Sequence, residues 1–149
     1  MPVTMQDVLA RIDLDEIDYP AAAAELGPEA LPLLEELVDG SDPMLASKAA
    51  YLASLISGPG SARVLQRATR HPDARVRVAA AAGLGNLAEH EAEPHVDQLL
   101  QDSDVGVRKV ALKSAAAFDS PAMTTRVQRL ATHDPEPAMR ELAKRAKDR

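Results

Sequence analysis

The sequence contains no cysteine and no tryptophan, and its 149 residues include one phenylalanine and two tyrosines. Without cysteine there is no disulfide, no thiolate metal site and no cysteine nucleophile. The chain also has no apolar run of the length that a transmembrane helix needs. Asp7 and Arg11 interrupt its N-terminal apolar stretch, which argues against a secretory signal. We therefore expect a cytoplasmic protein that does not bind a membrane.

Alanine and leucine dominate instead, with 28 and 18 copies. A core of these residues favours helices over strands. The net charge of −6 conceals an asymmetry, because residues 1–42 contain eleven acids and one base whereas residues 43–149 contain twelve acids and sixteen bases. Regions of opposite charge can orient partners or copies of the chain.

A seven-residue turn pattern recurs along the chain. It has a polar or acidic residue first, an acid third and a base seventh, and its best copies are Asp102–Arg108, His71–Arg77 and Asp134–Arg140. In a weaker copy, Asp42–Lys48, Met44 replaces the second acid. An alanine-rich helical stretch follows each base, and an amphipathic stretch precedes each turn, with apolar residues three and four apart. The pattern predicts repeated helical hairpins.

Prolines mark several helix starts, because Asp42-Pro43, Ser120-Pro121 and Asp134-Pro135 each place a capping side chain before a proline. The sequence predicts ten helices, at residues 4–13, 18–26, 28–39, 43–57, 60–70, 73–88, 92–101, 104–118, 121–132 and 135–147. No hairpin can cover its own apolar stripe, so the hairpins have to stack. We predict an all-α fold, a right-handed α-solenoid of five hairpins. It would be one domain over 1–149, with an irregular N-terminal cap (1–27) and four repeats (28–149).

The turn pattern and the x-A-A-x-x-x-L stretch after it resemble the HEAT repeat, in the short bacterial form also called phycobilin-lyase-like HEAT. The resemblance covers residues 28–149 well and 4–27 poorly, and it implies a ladder of turn acids and second-helix arginines. Carried over residue by residue, the ladder would pair Asp73, Asp104 and Glu136 with Arg77, Arg108 and Arg140, within or between repeats. An anionic-ligand site on these arginines is the alternative. We favour a structural role in which these ion pairs join successive repeats, because the polar groups buried between the repeats of a solenoid need hydrogen-bond partners.

No set of catalytic or cofactor-binding residues is complete. His90-Glu91 followed by His95 does not have the H-E-x-x-H spacing of a zinc site, and we expect Pro94 to interrupt any helix there. Gly83 and Gly85 fall within a helix and are expected to permit close packing. We predict no metal, no cofactor and no enzymatic activity of the chain itself.

Basic residues on the first helices of two hairpins could contact phosphates: Arg63, Arg67, Arg70, Arg126 and Arg129. In a HEAT stack these helices usually form the convex side. The chain is acidic overall, and its three aromatic residues are scattered, so it lacks a basic stripe and a stacking platform. We predict no nucleic-acid binding.

Second helices line the concave face of a HEAT stack. The residues one, five and nine positions after the base of each turn pattern should project from that face. Their side chains are small and apolar in the first repeats and become basic in the later ones. We predict that this face binds a protein or peptide with acidic and apolar features, so that the chain acts as a non-enzymatic adaptor. The expected contact residues are Lys109, Lys113, Val78, Ala82, Asn86 and Arg145.

Two alternatives stay open. By its resemblance to phycobilin-lyase-like repeats, the chain would be an accessory subunit of a chromophore or cofactor lyase, and it would need a second chain. Copies of the chain could also assemble weakly, an acidic head meeting a basic tail in a heterologous contact. The head comprises Asp13, Asp15, Glu16 and Asp18, and the tail Lys144, Arg145, Lys147 and Arg149.

Overall fold

The computed structural model describes residues 2–147 of the chain. Of the predicted basic tail, Arg149 and the side chain of Lys147 lie outside the described residues. Within the described range there are ten α-helices and no strand, as predicted: α1 (Met5–Ile12), α2 (Tyr19–Leu26), α3 (Leu31–Val38), α4 (Pro43–Ser54), α5 (Ser61–Thr69), α6 (Ala74–Leu84), α7 (Glu89–Leu99), α8 (Val105–Ala116), α9 (Pro121–His133) and α10 (Pro137–Lys147). A short 3-10 turn, Pro28–Ala30, precedes α3.

The helices pack as five stacked hairpins in two layers. The first layer contains α1, α3, α5, α7 and α9, and each helix in it contacts the next member of the layer. The second layer contains α2, α4, α6, α8 and α10 and is built in the same way. This arrangement is the predicted α-solenoid, in which each repeat contacts its neighbours along one axis. The division into a cap over 1–27 and four repeats over 28–149 stays a prediction.

Small residues allow the second-layer helices to pack closely. Ala46, Ala49 and Ala53 of α4 are fully buried against the core. A Cβ added to Gly83 of α6 would lie 2.9 Å from the Cβ of Ser54. Real Cβ atoms do not approach that closely, so a glycine is needed at this crossing of α4 and α6. The expected role of Gly83 in close packing is confirmed.

Two of the three predicted proline-associated caps are confirmed. Asp42 accepts hydrogen bonds from the backbone amides at the start of α4, and Ser120 does so for α9. Asp134 is different, because α10 begins only at Pro137. The carboxylate of Asp134 is buried and binds Arg108 instead.

The prediction that Pro94 interrupts a helix was wrong, because α7 runs through it. Pro94 is the sixth residue of α7, and the turn before it is already closed by the carbonyl of Ala88, which accepts from the amides of Glu91 and Ala92 at 3.0 Å. The proline removes one hydrogen bond of the helix, the one to the carbonyl of His90. His90 lies in the first turn of α7 rather than in a loop.

The second-layer helices of the four repeats begin at equivalent positions. Asp42, Asp73, Asp104 and Glu136 immediately precede α4, α6, α8 and α10. On this alignment Ala46, and not Lys48, is equivalent to Arg77. The predicted register of the first repeat was therefore two residues out. The Nζ of Lys48 donates instead to the carbonyl oxygen of Leu14, at 2.9 Å.

Candidate functional site

A ladder of ion pairs connects successive repeats. Nε and Nη2 of Arg77 donate to the carboxylate of Asp102 at 2.9 and 3.2 Å, and its Nη1 donates to the carbonyl of His71 at 2.9 Å. Arg108 repeats this geometry one step on, with Asp134 at 2.9 and 3.2 Å. Each arginine thus reaches the first residue of the turn in the following repeat.

The acids of the ladder differ from those predicted. Asp73 and Asp104 cap their own helices, accepting hydrogen bonds from the amides of Arg75 and Val107 at 2.8 and 3.0 Å. Their carboxylates face the start of the helix, whereas the arginine one turn later reaches towards the next repeat. Glu136 is exposed, and Arg140 donates to the carbonyl of Asp134 rather than to Glu136. Asp102 and Asp134, the acids that pair with Arg77 and Arg108, were not predicted as members of the ladder.

Arg77 and Arg108 are not arranged as an anion site. All three guanidinium nitrogens of Arg77 and of Arg108 donate to acceptors in the protein. Arg108 is also buried, with 7% of its surface exposed. A ligand carboxylate or phosphate would have to displace these partners, which already connect each arginine to the following repeat.

Three of the predicted contact residues meet at a groove between α8 and α10. Lys109 and Lys113 lie one turn apart on α8, Arg145 lies across from them on α10, and all three side chains are exposed. Apolar side chains form the rest of its lining: Leu112, Ala116, Leu142 and Ala146. The groove has a volume of about 440 Å³. These seven residues are called the basic groove below.

The charges of the basic groove are free to interact with another molecule. Among the described residues, no carboxylate forms an ion pair with Lys109, Lys113 or Arg145. In contrast, the neighbouring Lys144 pairs with Glu141 at 3.2 Å. Three cations beside an apolar lining suit a ligand that has carboxylates around an apolar group.

The structure does not bring the other predicted contact residues to this groove. Asn86 donates to the hydroxyl of Ser54 at 3.1 Å and lines a separate groove between the ends of α4 and α6. Val78 and Ala82 are half-buried on α6 and line neither groove. The lining residues of α8 could have been found from the sequence, because Leu112 and Ala116 lie three residues beyond Lys109 and Lys113. Leu142 and Ala146 could be placed only by the packing of α10.

Three arginines of the first layer form ion pairs with acids on the preceding helix of that layer. Arg63 and Arg67 of α5 pair with Glu35 and Asp39 of α3, each at 2.8 Å. Arg126 of α9 pairs with an acid of α7 in the same manner. These pairs reduce the positive charge that this layer presents to solvent, which is unfavourable for phosphate binding.

The histidines of α7 do not form a ligand cluster in the described part of the chain. His95 is half-buried, and its burial together with the nearby charge of Arg70 lowers its pKa. No helix in the described range is long and apolar enough to span a membrane.

Comparison with known proteins agrees with this architecture. The model of the family "HEAT repeats" matches residues 61–146, more than half of the chain. No curated protein matches the sequence. A chain in the complex of CpcE and CpcF of phycocyanin lyase from Nostoc sp. PCC7120 has a similar structure, with 24% sequence identity and a TM-score of 0.74. The match covers 96% of this chain and 97% of that one. With its stacked hairpins, its arginine ladder and the match to the family model, this chain belongs to the HEAT-repeat family.

Proposed function

We propose that this chain is a cytoplasmic accessory subunit of a chromophore or cofactor lyase and acts by docking onto a second protein chain. The observation that supports this most is the match, over almost the full length of both chains, with a protein of the CpcE and CpcF complex of phycocyanin lyase. The general protein-binding adaptor expected from the sequence shares the same requirement for a partner. The lyase role is the narrower proposal, and the comparison favours it.

The basic groove is the surface that we assign to the partner. Its exposed ammonium and guanidinium groups would attract carboxylates, and its apolar lining would be withdrawn from water in the complex. A small apolar centre with a polar rim is the usual anatomy of a protein interface. The proposal places the bond-forming chemistry in the complex, to which this chain contributes binding and orientation.

Partner recovery tests the docking part of the proposal. Tagged protein would be purified from its host as wild type, as Lys109→Glu/Lys113→Glu and as a control with the same change in charge. Arg70→Glu/Arg129→Glu is that control, because both arginines are exposed and lie outside the groove. We expect the groove variant to recover about tenfold less of the second chain, identified by mass spectrometry, and the control to match wild type. Equal recovery by all three proteins would eliminate the groove as the docking site.

Absorbance spectroscopy tests the lyase part. A bilin would be added to the recovered complex and to this chain alone, and the visible spectrum recorded. We expect a shifted absorption band with the complex, because binding by protein changes the conformation and surroundings of the chromophore. An unchanged bilin spectrum with an intact complex would exclude a bilin lyase and favour the general adaptor.

A further inference from the structure

An acidic loop with an exposed leucine lies between α1 and α2. It comprises residues 13–18, and Asp13, Asp15 and Glu16 are all exposed. Leu14, in the middle of these acids, is 47% exposed and is one of three large apolar side chains that the described residues expose. Among those residues, no base forms an ion pair with the three carboxylates. We call residues 13–18 the acidic loop.

The acidic loop is fixed to the rest of the fold. Lys48 of α4 donates to the carbonyl of Leu14 at 2.9 Å. At the end of the loop, Asp18 caps α2 by accepting a hydrogen bond from the amide of Ala21 at 3.1 Å. A loop held in this way loses little conformational entropy when it docks, so even a small contact can be populated.

The acidic loop and the basic groove are complementary. One presents three carboxylates around an exposed leucine, the other presents three cations beside an apolar lining, and within residues 2–147 none of these six charges is ion-paired. We propose that the basic groove of one copy of the chain receives the acidic loop of a second copy, with Leu14 against the apolar lining and the carboxylates beside Lys109, Lys113 and Arg145. This inference rests on the proposed function in one respect, namely that the basic groove is a protein-docking site.

The contact is heterologous, because the loop belongs to the first hairpin and the groove to the last two. Such a contact closes into a ring or continues as an open chain of copies. The positive partner is then the basic groove, which shares only Arg145 with the predicted tail, and Lys144 of that tail is already paired with Glu141. One loop in one groove buries much less than a standard interface, so the association is weak and sensitive to salt. A second chain that uses the groove displaces the loop.

Sedimentation velocity of the full chain, from about 10 to about 500 μM, tests the proposal, since this range brackets weak association. At about 0.05 M salt the average mass should rise with concentration, and at about 0.5 M salt it should rise much less.

The variants Lys109→Glu/Lys113→Glu and Asp15→Lys/Glu16→Lys should each stay monomeric. An equimolar mixture of these two variants should associate again, because the unchanged loop of the first fits the unchanged groove of the second and the reversed loop fits the reversed groove. Leu14→Ser should weaken association about tenfold without changing the charge.

Arg70→Glu/Arg129→Glu serves as the charge-matched control and should associate as wild type does, and circular dichroism checks that each variant keeps its helical content. A wild-type chain that stays monomeric over the whole range at low salt would overturn the proposal. Association that persists in the groove variant would also overturn it, because the copies would then meet elsewhere. Either result leaves the proposed function standing, since that depends on recovery of the second chain.

Discussion

Arg108 and Asp134 form a buried ion pair across the junction of the last two repeats, with Nε to Oδ2 at 2.9 Å and Nη2 to Oδ1 at 3.2 Å. Only 7% of Arg108 and 4% of Asp134 is exposed. Nη1 of the arginine also donates to the carbonyl of Asp102, and Oδ1 of Asp134 accepts from the amide of Glu136 at 2.9 Å. The pair therefore joins α8 to the turns on both sides of the junction.

Asp134→Asn should destabilise the protein by about 3–5 kcal/mol, because it leaves the buried guanidinium of Arg108 without its counter-charge. Urea denaturation followed by circular dichroism measures the change. Asp39→Asn is the matched control, since Asp39 pairs with Arg67 at 2.8 Å but both side chains are nearly half exposed. We expect the control to cost less than about 1 kcal/mol. Equal costs for the two variants would contradict the structural role assigned to the ladder.

Asp104 separates the observed ladder from the predicted one. Its carboxylate caps α8 through the amide of Val107 at 3.0 Å and does not bind Arg108. Asp104→Asn keeps an oxygen acceptor and should be nearly neutral, whereas Asp104→Ala should cost about 1 kcal/mol. The same urea experiment measures both. If Asp104→Asn proved as costly as Asp134→Asn, Asp104 would be the ion-pair partner after all.

The different roles of Asp104 and Asp134 show which features could be predicted from the sequence alone. The repeat spacing predicted the helices, the stacking and the positions of Arg77 and Arg108. The last two turns, however, contain a carboxylate at both their first and their third position, and only the direction of the helix start determines which of the two reaches the preceding repeat. In the first repeat, a single residue, Asp42, matched the first position of the pattern while occupying the capping position in the structure. Because of that coincidence, the predicted register of the first repeat was wrong by two residues.

The candidate site was predicted in part for a related reason. Lys109 and Lys113 are one turn apart on a helix, so their common face follows from the sequence. Their proximity to Arg145 was expected from a shared concave face, and the structure does bring the three together. Asn86 was grouped with them by the same rule, although it packs against Ser54. The position of a residue within the repeat predicts the face of the solenoid on which it lies. Whether that residue lines a particular groove also depends on which two helices border the groove.

The carboxyl group of Asp73 should titrate well below its usual range. Hydrogen bonds from the side chain and the amide of Arg75 lower its pKa from 3.8 to about 2. Because the pKa is lower in the folded state, the interaction stabilises the fold above pH 3.8, and this stabilisation is lost as the pH falls towards 2. NMR titration of the side-chain carboxyl carbons measures the pKa directly.

Arg75→Gln should return the pKa of Asp73 towards 3.8, since it removes the largest cause of the shift. Asp7 is an internal control in the same spectra, because its lowered pKa comes from hydrogen bonds with Thr4. It should not change in the variant. A pKa of Asp73 that stayed near 2 without Arg75 would show that the helix amides, and not the guanidinium, stabilise the charge.

Gly83→Ala should destabilise the protein even though alanine favours helices by about 1 kcal/mol over glycine. The new Cβ would lie 2.9 Å from the Cβ of Ser54, 3.1 Å from its hydroxyl oxygen and 3.0 Å from a methyl carbon of Leu65. Separating α6 from its neighbours to relieve these overlaps should cost about 1–3 kcal/mol net.

The second substitution Ser54→Gly removes two of the three atoms that the new Cβ would crowd. Gly83→Ala should therefore cost less in that background than in the wild type, and a double-mutant cycle by urea denaturation measures the difference. Additive effects in the cycle would mean that the new Cβ does not press on Ser54, and the close packing assigned to the crossing of α4 and α6 would then be incorrect.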